Sequence, residues 1–178
     1  TISRDRKKVD ICVADLNTGK VKVLIKDRTN TYVYETKPVY LIKNESEMIH
    51  WSERDGWAHF YLYDSFGRLK NQISSGSFHA NSFVNIDENK RVLFFTANGV
   101  ESSTDPYYEH LYSINLNGTG LRNLNKGDFT SSTIMADSNK YFVSNFSRVN
   151  MAPKSELRTN TGALVLSLEK ADLSQLMS

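Results

Sequence analysis

The sequence predicts an all-β protein, a partial β-propeller of about three and a half four-stranded antiparallel blades. Three observations support this fold class. Apolar and polar residues alternate along most of the chain, polar turns separate the alternating segments, and a strand–turn–strand unit recurs about every fifty residues. Helix-forming composition is confined to residues 170–177, a stretch too short to change the fold class.

Four copies of the recurring unit can be superposed along the chain. They share an alternating apolar strand, a polar turn and a second strand that ends in aliphatic residues. The copies lie at 10–25, 59–74, 110–125 and 162–177. Their common register is marked by Asp15, Asp64, Asn115 and Leu168.

The turns inside the first three copies contain residues that tolerate a positive φ angle. These turns are Asn17-Thr18-Gly19, Ser65-Phe66-Gly67 and Asn117-Gly118. In the fourth copy the expected turn is Glu169-Lys170-Ala171, which has no glycine and makes this copy the weakest match.

Two further strands are expected in front of the second, third and fourth copies. They are predicted at 38–43 and 47–54, at 82–86 and 91–97, and at 133–137 and 140–146. The prediction is therefore a single propeller fragment over residues 1–178. Its half blade covers about 1–30, and its full blades cover about 31–78, 79–128 and 129–178.

The fragment has too few blades to close a ring, because closed propellers typically use about four to eight blades. The first residue is not Met, which indicates an excised fragment or a processed chain. An open propeller leaves apolar blade faces without neighbours, so we expect the isolated chain to self-associate through these faces.

The stretch WSERDGWAHFYLYD at 51–64 contains the residue types of a serine-nucleophile triad. Asp55-Gly56 favours a tight turn between two strands, and large side chains alternate on both faces after it. A nucleophile needs an exposed, strained turn and a nearby base, neither of which this pattern provides. A hairpin is therefore predicted, and a catalytic Ser52 with His50 or His59 is the distant alternative.

Composition and charge exclude several classes of function. The net charge is +2, and basic residues are spread along the chain, so nucleic-acid binding is not expected. No run of about eighteen apolar residues exists, so no membrane span is expected. Cys12 is the single cysteine and cannot form an internal disulfide; its apolar neighbours predict a small buried side chain.

No cofactor or metal ion is expected from the sequence. The four histidines, His50, His59, His79 and His110, lack the close spacing of zinc ligands. The acidic loop at 101–105 lacks the central glycine and the alternating carboxylates of a calcium loop.

Several segments together resemble the N-terminal β-propeller of dipeptidyl peptidase IV, of the bacterial kind. They are the WSERDGW-x-HFYLYD run with the later Gly67, DPYYEHLYSINLNGTG at 105–120 and NKGDF at 125–129. The resemblance covers nearly the whole chain and points to the later half of that propeller. It implies an extracytoplasmic serine exopeptidase that removes Xaa-Pro or Xaa-Ala dipeptides from peptide N-termini.

In the family, the Ser, Asp and His of the triad lie in a C-terminal α/β-hydrolase domain, and a Glu-Glu pair earlier in the propeller binds the substrate amine. This sequence contains neither a G-x-S-x-G pattern nor a Glu-Glu dipeptide. The resemblance therefore implies a scaffold and substrate-gating segment without catalytic residues, which meets the peptide substrate through the hydrolase domain of the parent protein. The alternative function is a non-enzymatic propeller that binds a ligand or a protein partner.

One site residue is implied by the resemblance. The family has an aromatic residue that lines the substrate cleft shortly before a strand similar to 38–43, and Tyr34 is the nearest match. The surrounding Thr31, Val33 and Glu35 depart from the family pattern. On base rates for burial, an ordinary packed aromatic side chain is the alternative role of Tyr34.

Overall fold

The protein is described by a computed structural model that covers residues 1–33 and 35–174. All regular elements in these residues are β-strands, which form one two-stranded and three four-stranded antiparallel sheets. The predicted fold class, an all-β partial propeller with four-stranded blades, is confirmed. The chain divides into two compact units, Thr1–Ser75 and Gly76–Ser178.

The first unit contains a two-stranded and a four-stranded sheet. Its strands are β1 (Lys8–Ala14), β2 (Val21–Arg28), β3 (Tyr40–Ile42), β4 (Glu47–Ser52), β5 (His59–Asp64) and β6 (Leu69–Gln72). The four-stranded sheet has the sequential order β3-β4-β5-β6. Ile25 of β2 packs with Met48, Tyr61 and Tyr63 of β4 and β5, so apolar side chains from both sheets share one core.

The second unit contains two four-stranded sheets with the same sequential order. Its strands are β7 (His79–Asp87), β8 (Val92–Asn98), β9 (Glu109–Asn115), β10 (Arg122–Asn123), β11 (Thr130–Met135), β12 (Tyr141–Arg148), β13 (Met151–Thr159) and β14 (Leu164–Lys170). Phe94, Leu111 and Leu124 pack with Phe142 of the other sheet. The core of this unit therefore also lies between two neighbouring sheets.

The hairpin predicted at 51–64 is confirmed. Strands β4 and β5 pair antiparallel, with Ser52 opposite His59, and the Gly56 amide donates to the Glu53 carbonyl at 3.1 Å. Gly56 has a φ of 95°, as its place in the turn requires. Strand β5 is buried on both faces except at its last residue, as its pattern of large side chains predicts.

The outermost two strands of every sheet are joined by the same kind of turn. In each turn a glycine amide donates to a carbonyl oxygen three or four residues earlier in the chain. The bonds are Gly19 to Asp15, Gly67 to Asp64, Gly118 to Asn115 and Gly162 to Thr159, at 2.8–3.0 Å. All four glycines have a positive φ.

The predicted register of the fourth copy is wrong. Residues 164–170 form the single outer strand β14, and the strand before it is β13. The turn that joins them is Asn160-Thr161-Gly162. Here the Thr159 hydroxyl accepts from backbone amides of the turn, as the Asp15 and Asp64 carboxylates do in the first two copies. Glu169-Lys170-Ala171 is not a turn, because Lys170 still pairs with Lys154.

The predicted burial of Cys12 is also wrong, since this residue is exposed. Strand β1 has β2 as its single partner strand among the described residues, and the pairing shifts register between Ile11 and Cys12. An alternating apolar run therefore does not ensure burial in a sheet of two strands.

Two of the turn glycines lie directly against a neighbouring sheet. A Cβ atom added at Gly67 would lie within 3.0 Å of the Leu24 carbonyl oxygen, closer than real Cβ atoms come. A Cβ atom added at Gly162 would lie 2.7 Å from the Leu124 carbonyl oxygen. In both units, the glycine therefore allows the outer turn of one sheet to contact the backbone of the preceding sheet.

Candidate functional site

The one site residue expected from the sequence, Tyr34, lies outside the described residues. It belongs to the β2–β3 segment, residues 29–39, which joins the two sheets of the first unit. Val33 and Glu35, its chain neighbours, line a small cavity together with Asp27 and His50. The cavity volume of about 10 Å³ is close to the minimum that holds one water molecule.

Buried polar side chains form the wall of this cavity. Asp27 at the end of β2 is 7% exposed, and His50 and Ser52 of β4 are each 2% exposed. His50 Nε2 lies 3.2 Å from one Asp27 carboxylate oxygen, and Arg54 Nε lies 3.3 Å from the other. Two sheets are therefore linked by a charge cluster, Asp27, His50, Ser52 and Arg54, rather than by apolar packing alone.

The Asp27 carboxyl remains ionised in this environment. Burial opposes its ionisation, but hydrogen bonds with His50 and Ser52 and the positive charge of Arg54 outweigh burial and hold the pKa of Asp27 below its ordinary value. A buried carboxylate that is paired on both oxygens is costly to disturb, because removal of one partner leaves an uncompensated charge.

Arg54 connects the charge cluster to the aromatic core. Its guanidinium carbon lies 4.4 Å from the ring centroid of Tyr61 and 5.7 Å from that of Tyr63. Burial raises the pKa of both tyrosines, so their hydroxyls stay neutral beside the guanidinium. The Arg54 guanidinium is therefore held between the two tyrosine rings and the Asp27 carboxylate, where it has a structural role.

Ser52 does not have the geometry of a nucleophile. Its hydroxyl oxygen accepts hydrogen bonds from the Arg54 amide at 3.2 Å and from Arg54 Nε at 3.1 Å. His50 turns its Nε2 to Asp27, and His59 Nδ1 lies 3.1 Å from the Ser74 hydroxyl. A buried hydroxyl held in this way lacks the exposed turn and the base that nucleophilic catalysis needs.

The four histidines lie in separate environments. Besides His50 and His59, His79 Nδ1 lies 2.6 Å from the Asn81 side-chain oxygen, and His110 Nε2 lies 3.1 Å from the Gly127 carbonyl oxygen. Burial lowers the pKa of His110. Within residues 1–33 and 35–174, no group of three or more His, Cys, Asp or Glu side chains could hold a metal ion.

The far end of the β2–β3 segment rests on β4. The Lys37 ammonium lies 5.7 Å from the ring centroid of Trp51 and forms an ion pair with Glu35 at 2.7 Å. Trp51 is itself 4% exposed, so Lys37 contacts a residue of a buried strand. The residues around Tyr34 in sequence are thus held against the first unit.

Sequence reasoning missed Asp27 and Arg54, which have the largest electrostatic role at this site. Asp27 lies near the end of an alternating strand, and Arg54 precedes a turn, so each matches the pattern of a solvated charge. The contact between them joins β2 to the turn after β4, and no local sequence spacing indicates it. The part of the chain that the structure describes contains no helix long and apolar enough to cross a membrane.

Comparison with known proteins gives one consistent result. The family model described as the dipeptidyl peptidase IV (DPP IV) N-terminal region matches residues 1–153. Dipeptidyl peptidase 4 of Trichophyton equinum is 27% identical over 93 residues, which are 52% of this chain and 12% of the relative. Dipeptidyl peptidase 4 of Trichophyton rubrum is 25% identical over 114 residues, 62% of this chain and 14% of the relative.

A solved structure supports the fold. The crystal structure of Porphyromonas gingivalis dipeptidyl peptidase 4 superposes with a TM-score of 0.79 at 18% sequence identity. The match covers 99% of this chain and 24% of that one. The chain therefore spans about a quarter of the solved relative and a smaller share of the curated ones.

Proposed function

The chain belongs to the family of dipeptidyl peptidase IV N-terminal regions, and on this basis we propose that it is the propeller segment of a serine-type exopeptidase. The parent protein would release Xaa-Pro or Xaa-Ala dipeptides from peptide N-termini. The observation that carries this proposal is the family match over residues 1–153.

The role proposed for this segment is that of a scaffold and a gate without catalytic residues. The buried Ser52 hydroxyl and the separate environments of the histidines support a role without catalysis for this segment. A hydrolase domain in the parent protein would supply the nucleophile, the base and the oxyanion hole. A propeller beside such a domain would restrict entry to peptides of suitable size and would orient their N-termini, which favours cleavage after the second residue.

Within this segment, we propose that Tyr34 contacts the peptide substrate. The proposal rests on the resemblance. Of the described residues on either side, Val33 accepts a hydrogen bond from Arg6 Nε, and the Lys37 ammonium lies over the Trp51 ring. A tyrosine ring supplies a large apolar contact area to a peptide at a small cost in conformational entropy.

The test is an assay of the full-length gene product with Gly-Pro-p-nitroanilide. Release of p-nitroaniline that is abolished by a serine-directed fluorophosphonate is the expected result, and a non-hydrolysing product that binds a protein partner would refute the peptidase proposal. The variant Tyr34→Ala should raise KM several-fold with little change in kcat. Tyr107→Ala, which alters a tyrosine 86% exposed in the second unit, is the matched control and should leave both constants unchanged.

Self-association of the isolated chain remains part of the proposal. Strand β14 is exposed along its whole length, and its large apolar side chains Leu164, Val165, Leu166 and Leu168 are 45–55% exposed. Monomeric proteins seldom expose a contiguous apolar surface of this kind. Light scattering that rises with concentration, and is reduced by Leu166→Glu, is the expected result; a strictly monomeric chain would contradict it.

An extracytoplasmic location is proposed on the family resemblance alone. It is tested by fractionation of the source cells with an antibody against this segment. Recovery with the cytoplasmic marker proteins would exclude it.

A further inference from the structure

A cleft of about 250 Å³ lies between the two sheets of the second unit. Strands β8, β9 and β10 provide one wall, and the turn between β13 and β14 provides the other. The residues that line it include Val92, Phe94, Ser113, Asn115 and Arg122 of the first wall and Asn160 and Thr161 of the turn. Its volume is near the lower end of the range for ligand pockets, so it fits a small organic molecule.

Strand pairing directs the side chains of the first wall into the cleft. Phe94 is paired with Ser113, and Ser113 is paired with Arg122, so these three side chains share one face of the sheet. Val92, two residues before Phe94, points to the same face. This face is turned towards the last sheet, because Phe94 packs with Phe142 of β12.

The turn that forms the other wall is held in place by contacts at both of its ends. Asn160 Nδ2 donates to the Asn139 carbonyl at 2.6 Å, and Asn139 Nδ2 donates to the Ile86 carbonyl at 2.8 Å. Gly162, at the far end of the turn, lies against the Leu124 backbone. The cleft is therefore formed before a ligand binds, which reduces the entropic cost of binding.

Hydrogen-bond donors at the cleft are available to a ligand. In residues 1–33 and 35–174, no acidic side chain forms an ion pair with Arg122, and no protein group bonds to the Ser113 hydroxyl. The Lys90 ammonium, at the same cleft, is 3.7 Å from the Asp87 carboxylate, which is longer than a hydrogen bond. The Asp87 carboxylate accepts from the Lys90 amide at 3.0 Å and so stabilises its own turn.

We propose that the cleft binds a small monocarboxylate with an apolar group, its carboxylate at Arg122 and Ser113 and its apolar part against Phe94. An arginine guanidinium binds a carboxylate through two parallel hydrogen bonds. Val92 and Phe94 supply the apolar surface that an inorganic anion would not use. Asp87 repels a second negative charge, which favours a monoanion over a phosphate dianion. This inference goes beyond the proposed function and does not depend on it.

The test of the ligand class is a titration of the full-length protein with 4-fluorobenzoate, followed by fluorine NMR of the ligand. We expect saturable binding with a Kd on the order of 1 mM, which is typical of the few contacts that so small a ligand can make. The neutral 4-fluorobenzamide, which has nearly the same shape, should bind at least about tenfold more weakly. Inorganic phosphate should compete for the site at least about fivefold more weakly than 4-fluorobenzoate binds. Equal binding of the amide, or equal competition by phosphate, would overturn the assignment of a carboxylate.

Substitutions test whether the ligand binds in this cleft. Arg122→Gln removes the charge at an exposed position and should raise the Kd about tenfold, with the melting temperature unchanged. Arg122→Lys keeps the charge but loses the two-bond geometry, so its Kd should lie between those of the wild type and Arg122→Gln. Thr161→Trp, at an exposed residue of the turn, should block the cleft without a change in charge. Arg4→Gln, at an exposed arginine of the first unit, is the matched control and should bind like the wild type.

Three results would overturn the inference. They are the absence of saturable 4-fluorobenzoate binding by the wild type, an equal Kd for the wild type and Arg122→Gln, and unchanged binding by Thr161→Trp. Because Thr161→Trp tests the cleft by its shape rather than its charge, it decides the question even if Arg122→Gln lowers the melting temperature.

Discussion

Replacement of Gly67 with Ala should destabilise the first unit more than the same change at Gly19. Both glycines close an outer turn, Gly67 three residues after Asp64 and Gly19 four residues after Asp15, with φ of 81° and 68°. They differ in what surrounds them. A Cβ atom at Gly19 would meet no atom within 4 Å, whereas one at Gly67 would overlap the Leu24 carbonyl.

The expected magnitude follows from these two surroundings. A left-handed backbone costs alanine about 1 kcal/mol relative to glycine, and both variants carry this cost. Gly67→Ala must in addition displace the Leu24 backbone, which lies next to the buried Ile25. Overpacking of this kind costs about 1–3 kcal/mol. The free energy of unfolding should therefore fall by about 1 kcal/mol in Gly19→Ala and by about 2–4 kcal/mol in Gly67→Ala.

The measurement is urea denaturation of both variants and the wild type, followed by tryptophan fluorescence. Trp51 is buried in the first unit and reports its unfolding. Equal losses in the two variants would show that the turn conformation alone matters, and would refute the argument that Gly67 is needed for the close approach of two sheets.

Two further substitutions and one titration test the buried polar groups. Asp27→Asn should lower the free energy of unfolding by about 2–4 kcal/mol at pH 7 in urea titrations, because it leaves Arg54 without its carboxylate. Since the pKa of Asp27 is below its ordinary value, the stabilisation is present above about pH 4 and is lost as the pH falls further, where variant and wild type should converge. Asn125→Ala removes hydrogen bonds at a residue 1% exposed and should cost about 2–3 kcal/mol, against about 0.5 kcal/mol or less for the exposed Asn117→Ala. Burial and the charge of Glu101 raise the pKa of Tyr112, so an alkaline absorbance titration should show this ring ionising well above pH 10.

The strands and turns that depend on local sequence could be predicted. Asp55-Gly56 and the large alternating side chains after it are sufficient to indicate a hairpin buried on both faces, because turn chemistry and strand period are local properties. The fourth blade shows the limit of this approach. Asn160-Thr161-Gly162 repeats the residue types of Asn17-Thr18-Gly19. The register based on Leu168 placed the turn at 169–171 instead, so residues of the single strand β14 were assigned to a strand and a turn.

The candidate site was less accessible to sequence reasoning. Tyr34 was named through the resemblance, and its role stays a prediction. The Asp27 and Arg54 contact could not be found, because it joins residues that local pattern reading assigns independently to solvent. A similar limit applies to the hydrogen bond from Arg6 to Val33, which joins residues twenty-seven positions apart.

The same backbone hydrogen bond recurs in two sheets, but different residue types supply the acceptor oxygen. After the outer strand of a sheet, one side-chain oxygen accepts from a backbone amide of the adjacent strand: the Ser74 hydroxyl from Phe60 at 3.1 Å, and the Asn125 side-chain oxygen from Leu111 at 2.9 Å. The Asn125 side chain then donates to Ser144 of the following sheet.

Because serine and asparagine can both accept a hydrogen bond from a backbone amide, this contact does not require the same residue type in each copy of the repeat. A glycine follows two residues later in both cases. A Cβ atom at Gly127 would overlap the Phe129 ring, and one at Gly76 would lie 3.2 Å from the Phe78 ring. These glycines are therefore visible as a pattern in the sequence, whereas the positions that need only an acceptor oxygen become visible once the sheets are placed side by side.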